Sequence, residues 1–252
     1  TLLEYPINQS ITMKTEQVND YCSPEFDENF EQLINQKVIK WLPFVGKGYS
    51  DSANKVLLLG LSHYETDIND SDYPLYTRQV VVEQGIIREY TKSFFVGIEK
   101  RVIDSGKPEG DKCREIWESV SFLNLFQEPM PSPKHKANMG EMKKNWIKAI
   151  EAIKVVKPKN VILCSSSHNY INALKEVLSD NDLGLSVKEI IRYNLIGKSL
   201  PAKLIIKTNI PSWDEFNLVK LKHPSRSSEW KEWAHFLGEE HILGEFVAKF
   251  RK

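Results

Sequence analysis

The sequence predicts an α/β protein whose mostly parallel sheet is covered by helices on both faces. Four short apolar runs have the length of buried strands, and they lie at 55–59, 120–126, 160–164 and 216–221. Segments with helical spacing of apolar residues alternate with these runs, as from Met142 to Val156. Polar clusters follow the first and last runs, where open parallel sheets bind their ligands. Alternation of this kind is typical of parallel sheets.

The remaining elements complete one predicted domain. We expect a polar N-terminal arm at 1–25 and an edge strand at 203–207. We also expect four helical segments, at 28–40, 74–104, 142–156 and 167–179. Glycines at Gly85 and Gly97 are expected to break the second helical segment, and Pro158 to end the third. Nothing between residues 50 and 250 has the composition of a linker, so the whole chain, 1–252, is expected to be a single domain.

Composition narrows the class of protein. Lys and Arg together number 34, as do Asp and Glu, so a basic surface for nucleic acid has to be local. The three cysteines are scattered, which predicts reduced thiols and a cytoplasmic location. No apolar stretch approaches the roughly 18 residues of a membrane span, and the first residues lack the pattern of a signal peptide. A membrane partner is therefore not expected.

Two polar motifs lie far apart in the chain, and each follows a predicted strand. The first is GLSHY at 60–64, and the second is HPS at 223–225. Because the carboxyl ends of parallel strands meet at one edge of a sheet, we expect the two motifs to form one site.

With Asn124 between them, the motifs resemble those of the uracil-DNA glycosylase superfamily. In its best-known branch the first motif reads Gly-Gln-Asp-Pro-Tyr-His, of which Gly60 and Tyr64 match. The second motif, His-Pro-Ser, matches 223–225 in full, and a Leu-Leu-Leu-Asn strand end corresponds to Ser-Phe-Leu before Asn124. The resemblance covers roughly residues 55–235.

The resemblance implies a three-layer α/β/α fold around a central, mostly parallel, four-stranded sheet. It also implies a pocket for a base extruded from DNA, because an enzyme cannot reach the sugar bond of a stacked base. Asn124 would read the edge of the base, Phe94 or Phe95 would stack on it, and Tyr64 would wall the pocket. The further residues carried over as base-binding are Gly60, Leu61 and His63, and those carried over as phosphate-binding are Ser225 and Arg226.

The catalytic set carried over from the resemblance is His223, Ser62 and Glu65. His223 would stabilise negative charge on the departing base. Ser62 stands where the best-known branch has an Asp that positions water, and Glu65 and Asp67 are nearby carboxylates that could replace it. No metal or organic cofactor is expected, and three cysteines are too few for the iron–sulfur cluster of some branches.

Simpler interpretations stand beside these. His63 could have no role beyond a local hydrogen bond within a tight turn. Asn124 could be a cap residue, and Pro224 could begin a helix. The Lys-His-Lys run at 134–136 and Arg226 could contact phosphate or lie in a solvated loop. The expected function is hydrolysis of the N-glycosidic bond of uracil or a related damaged base in single- or double-stranded DNA by a monomer.

Two other functions remain open. One is a noncatalytic or redirected member that binds a base, a nucleotide or modified nucleic acid. The other is hydrolysis of a small molecule by His63, Glu65 and His223.

Overall fold

The computed structural model describes residues 15–64, 73–88, 91–132, 135–180, 182–226, 229–239 and 242–251. The helices are α1 Thr15–Asn19, α2 Asp27–Asn35, α3 Tyr76–Val81, α4 Ser93–Ile103, α5 Gly110–Glu118, α6 Met139–Val156, α7 Asn169–Asp180, α8 Trp230–Gly238 and α9 Gly244–Ala248. The strands are β1 Phe44–Val45, β2 Val56–Gly60, β3 Val120–Asn124, β4 Asn160–Cys164, β5 Leu185–Arg192, β6 Ala202–Ile210 and β7 Trp213–Leu221. Helix α3 continues as a π-helical stretch, Val82–Ile87.

The strands form one mixed sheet of seven, in the order β1-β3-β2-β4-β7-β6-β5. The α/β class is therefore confirmed, whereas the expected sheet of four strands is too small. The four central strands, β3-β2-β4-β7, are parallel to their neighbours within this group. Strand β1 adds to one side in antiparallel orientation, and β6 and β5 add to the other.

Helices cover both faces of the sheet because successive side chains of a buried strand point to opposite sides. On β2, Leu57 and Leu59 join an apolar core that includes residues of α2, α6 and α7. Val56 and Leu58 join a second core on the other face, built with residues of α4, α5 and α8. The three-layer arrangement follows from these two cores.

Strand β5 was not predicted, and its presence corrects the expected edge strand at 203–207. Most residues of β5 are at least partly exposed, so the strand lacks the apolar run that marks the central strands. Because β5 pairs with the far side of β6, it forms the edge of the sheet, and β6 is an internal strand.

Two predicted helix boundaries were also wrong. Helix α2 ends at Asn35 rather than near residue 40, because Lys37 adopts a φ of 58° and the chain turns there. Helix α4 runs unbroken through Gly97, where a side chain would lie 2.5 Å from the carbonyl oxygen of Pro224. Gly97 therefore allows α4 to pack directly on the HPS motif.

In the described part of the chain, no helix combines the length and the apolar character that crossing a membrane requires.

Candidate functional site

The carboxyl ends of the four parallel strands meet at one edge of the sheet, and each is followed by polar residues. Strand β2 leads into the motif at 60–64, β3 ends at Asn124, and β7 leads into the motif at 223–225. Strand β4 leads into three serines at 165–167, which our sequence analysis did not consider. Their position directly after a buried strand is the signal that could have identified them.

A cavity of about 850 Å³ opens at this edge of the sheet. The predicted site residues that line it are Gly60, Leu61, Ser62, His63, Tyr64, Phe94, Asn124, His223 and Ser225. Glu65 and the side chain of Arg226 lie outside the described residues. Residues far apart in the sequence therefore share one cavity.

Asn124 supplies a buried polar group that the protein itself does not use. The residue is only 4% exposed and lines the cavity, yet its side-chain amide makes no hydrogen bond within the described part of the chain. Its backbone carbonyl accepts a hydrogen bond from Gln127 Nε2 at 2.7 Å. An amide that lines a cavity and has no partner in the protein is suited to a ligand.

Gly60 is paired with Asn124 across the two central strands. A Cβ atom at Gly60 would overlap the amide oxygen of Asn124 and approach the Phe122 ring to 3.0 Å. The absence of a side chain at residue 60 therefore determines where the amide of Asn124 lies.

Replacing Gly60 by alanine is expected to displace the Asn124 side chain and to weaken ligand binding at least about ten-fold, the loss of roughly one hydrogen bond to a buried group. The expected cost in stability is about 1 kcal/mol, because the amide is the flexible end of a side chain. Ligand titration and thermal unfolding of the same variant measure the two effects. A variant that binds as well as the wild type would contradict this role of Gly60.

His223 lies beside an aromatic ring and a hydroxyl. Its Nδ1 is 2.8 Å from Ser225 Oγ, and its ring centroid is 5.5 Å from that of Phe94. Its backbone N–H donates to Ser166 Oγ at 3.4 Å, which joins the β7 and β4 ends of the site. These contacts hold the imidazole at the cavity wall next to a face on which a planar ligand can stack.

The hydroxyl of Ser62 is fully engaged in hydrogen bonds with nearby backbone groups. It accepts a hydrogen bond from the Met130 backbone N–H at 3.2 Å. Its single proton is shared between the carbonyl oxygens of His63 and Glu128, at 2.5 Å and 3.2 Å. Such a hydroxyl fixes the β2 loop against the segment after β3, and it has little capacity left to hold a water molecule.

His63 lines the cavity, but its imidazole is packed between other rings. Its Nε2 lies 3.0 Å from Thr77 Oγ1, and its ring is edge-on to those of Trp41 and Tyr76. Burial, with a smaller contribution from the positive charge of Lys92, lowers the pKa of His63 to about 3. The imidazole is therefore neutral at physiological pH, and its contacts favour the local role left open above.

The charged side chains of the described cavity lining have one sign. They are the ammonium groups of Lys92 and Lys136, and no Asp or Glu occurs among the described lining residues. The cavity is therefore locally basic although the acidic and basic residues of the whole chain balance. A basic cavity favours ligands rich in oxygen acceptors or negative charge. Within the described residues, no group of three or more His, Cys, Asp or Glu could hold a metal ion.

No protein-family model matches the chain, and none of the curated proteins is significantly similar to it in sequence.

Proposed function

We propose that this protein binds a base extruded from DNA in the cavity and hydrolyses its N-glycosidic bond. The observation that carries the proposal is the buried, unpartnered amide of Asn124, which shares a cavity with Phe94 and His223. An amide offers a donor and an acceptor to the edge of a base, and an aromatic face offers stacking. The parallel centre of the sheet supports the relation to uracil-DNA glycosylases.

The reaction needs only water as co-reactant. As the bond between sugar and base breaks, its electron pair leaves with the base, and the water oxygen bonds to the sugar carbon. The water releases one proton, and the departing base anion takes up one proton. Stabilising charge that develops on the base is the role that we assign to His223, whose orientation Ser225 supports.

Binding without catalysis is the second candidate, and the hydrogen bonds of Ser62 favour it. A glycosylase needs a group that holds water and stabilises the cationic sugar. Ser62 is engaged by backbone groups, and the described cavity lining contains no carboxylate. Glu65, next in sequence to Tyr64, is the residue to which we assign this role if the protein is catalytic.

The test is excision of uracil from end-labelled single-stranded and double-stranded oligonucleotides. We expect abasic product with the wild type, and about 100-fold less with His223→Ala or Glu65→Gln, because positioned acid–base and electrostatic groups are each worth factors of this size. Ser62→Ala is the matched control, for which we expect activity within a few-fold of the wild type.

Two results would count against the proposal. Product that persists in both His223→Ala and Glu65→Gln would place the chemistry elsewhere. No product, with tight binding of the oligonucleotide that depends on Asn124, would replace hydrolysis by the noncatalytic candidate.

A further inference from the structure

The cavity is much larger than an unmodified base requires. Its volume of about 850 Å³ lies near the upper end of the roughly 300–1,000 Å³ that sites for drug-sized ligands occupy. A pyrimidine ring has far fewer atoms than such a ligand. A substrate that consisted of the bare base would leave most of the cavity filled with water.

The cavity has two halves, one on each side of the sheet edge. We call the first the amide half, and it comprises Phe94, Phe122, Asn124 and His223. We call the second the tyrosine half, and it comprises Tyr64, Met130, Ala137, Met142 and Tyr170. In the amide half, Phe122 belongs to the core beneath α4 and Phe94 packs against it. All members of the tyrosine half belong to or pack on the core beneath α6 and α7.

The tyrosine half contains a second polar group that the protein does not use. Tyr170 is 7% exposed as a residue and lines the cavity, and its hydroxyl makes no hydrogen bond within the described part of the chain. Burial raises the pKa of this hydroxyl, and the neighbouring Tyr64 and Glu141 raise it further, so it remains protonated and able to donate. A hydroxyl in a cavity wall without a partner in the protein is suited to an oxygen of a ligand.

Further donors lie around the same half. Ser167 Oγ accepts a hydrogen bond from the backbone of Asn169, which leaves its hydroxyl proton for another group. Lys136 adds an ammonium group to the lining. Met130, Ala137 and Met142 add apolar surface to the same half. The combination suits a bulky group with several oxygens on a carbon skeleton.

We propose that the tyrosine half binds an oxygen-rich substituent carried by the base, so that the preferred substrates are pyrimidines with a bulky, hydroxyl-bearing group such as a linked sugar. This inference rests on the proposed function, because it assigns the base itself to the amide half. Asn124 and Phe94 recognise the ring, and Tyr170 and its neighbours recognise the substituent. The bond that breaks is the same N-glycosidic bond between deoxyribose and base.

The test compares three otherwise identical single-stranded oligonucleotides that contain uracil, 5-hydroxymethyluracil or its glucosylated form. We expect the wild type to prefer the glucosylated base over uracil by at least about ten-fold, the gain from one or two additional hydrogen bonds and buried apolar surface. Tyr170→Phe should reduce this preference about three- to ten-fold. Ala137→Phe, which fills the tyrosine half, should abolish it.

Ile147→Phe is the matched control for Ala137→Phe, because Ile147 lies on α6 at the protein surface with 36% exposure. It should keep the full preference. Rejection of the glucosylated base, or a preference that Ala137→Phe leaves unchanged, would overturn the inference while uracil excision still supports the proposed function.

If no base is excised, the equilibrium dissociation constants of the same three oligonucleotides decide the question. Tighter binding of the glucosylated oligonucleotide that Ala137→Phe abolishes would support the substituent site without catalysis. Equal affinity for all three oligonucleotides would overturn it.

Discussion

Replacement of Asn124 by alanine is expected to lower kcat/KM for base excision by at least about 100-fold, while the free energy of unfolding changes by less than about 1 kcal/mol. Sites that hydrogen-bond their ligand through buried groups lose factors of this size or more when those bonds are removed. Stability is expected to change little because the amide has no hydrogen-bond partner within the described part of the chain to lose. Excision kinetics and urea unfolding of one variant measure both quantities.

Gln127 is a matched control, because the protein itself uses the hydrogen bonds of its buried side-chain amide. It is 1% exposed, and its amide oxygen accepts from the backbone N–H groups of Lys40 and Trp41 at 3.2 Å and 3.4 Å. Gln127→Ala should therefore cost about 2 kcal/mol of stability, because it leaves buried donors unsatisfied. If Asn124→Ala proved as destabilising as Gln127→Ala, its amide would be a structural group and not a ligand contact.

Acidification is expected to destabilise the protein through His63. Its pKa is about 3 in the folded state, against about 6.5 for an exposed imidazole. A lowered folded-state pKa means that the unfolded chain binds the proton first as the pH falls. The stabilisation is complete above about pH 6.5 and declines as the pH falls towards 3, by on the order of 4 kcal/mol in total.

His63→Gln isolates this contribution, because glutamine keeps a polar side chain but does not titrate. We expect the variant to lose stability on acidification much less steeply than the wild type between about pH 6.5 and about pH 4. Urea unfolding at several pH values measures the two slopes. If stability fell equally with pH in His63→Gln and in the wild type, His63 would be protonated equally in the folded and unfolded states, and the prediction would be wrong.

The central strands and the edge that they present could be predicted from the sequence. Each central strand is a short apolar run, because a strand covered on both faces has no solvent-facing side chains. The run at Val120–Asn124 and the run at Asn160–Cys164 show the pattern clearly. Since parallel strands end at the same edge, the sequence alone predicts that residues 60–64 and 223–225 meet there.

The parts that could not be predicted depend on solvent exposure and on partners distant in sequence. Strand β5 is exposed on one face and has no apolar run, so only its pairing with β6 shows that it is a strand. Sequence spacing did not separate the two interpretations of His63, because the deciding contacts come from Thr77 and Trp41.

What the sequence by itself determined is the set of four central strands, the main helices between them and the polar residues at the strand ends. Those follow from local periodicity, which the chain carries within each short segment. What only the tertiary structure decided is which of those polar groups the protein satisfies internally. Ser62 and His63 are engaged by the chain, whereas the side chains of Asn124 and Tyr170 have no hydrogen-bond partner in its described part. Hydrogen-bond satisfaction depends on the packing of segments far apart in sequence, and so does the volume of the cavity between them.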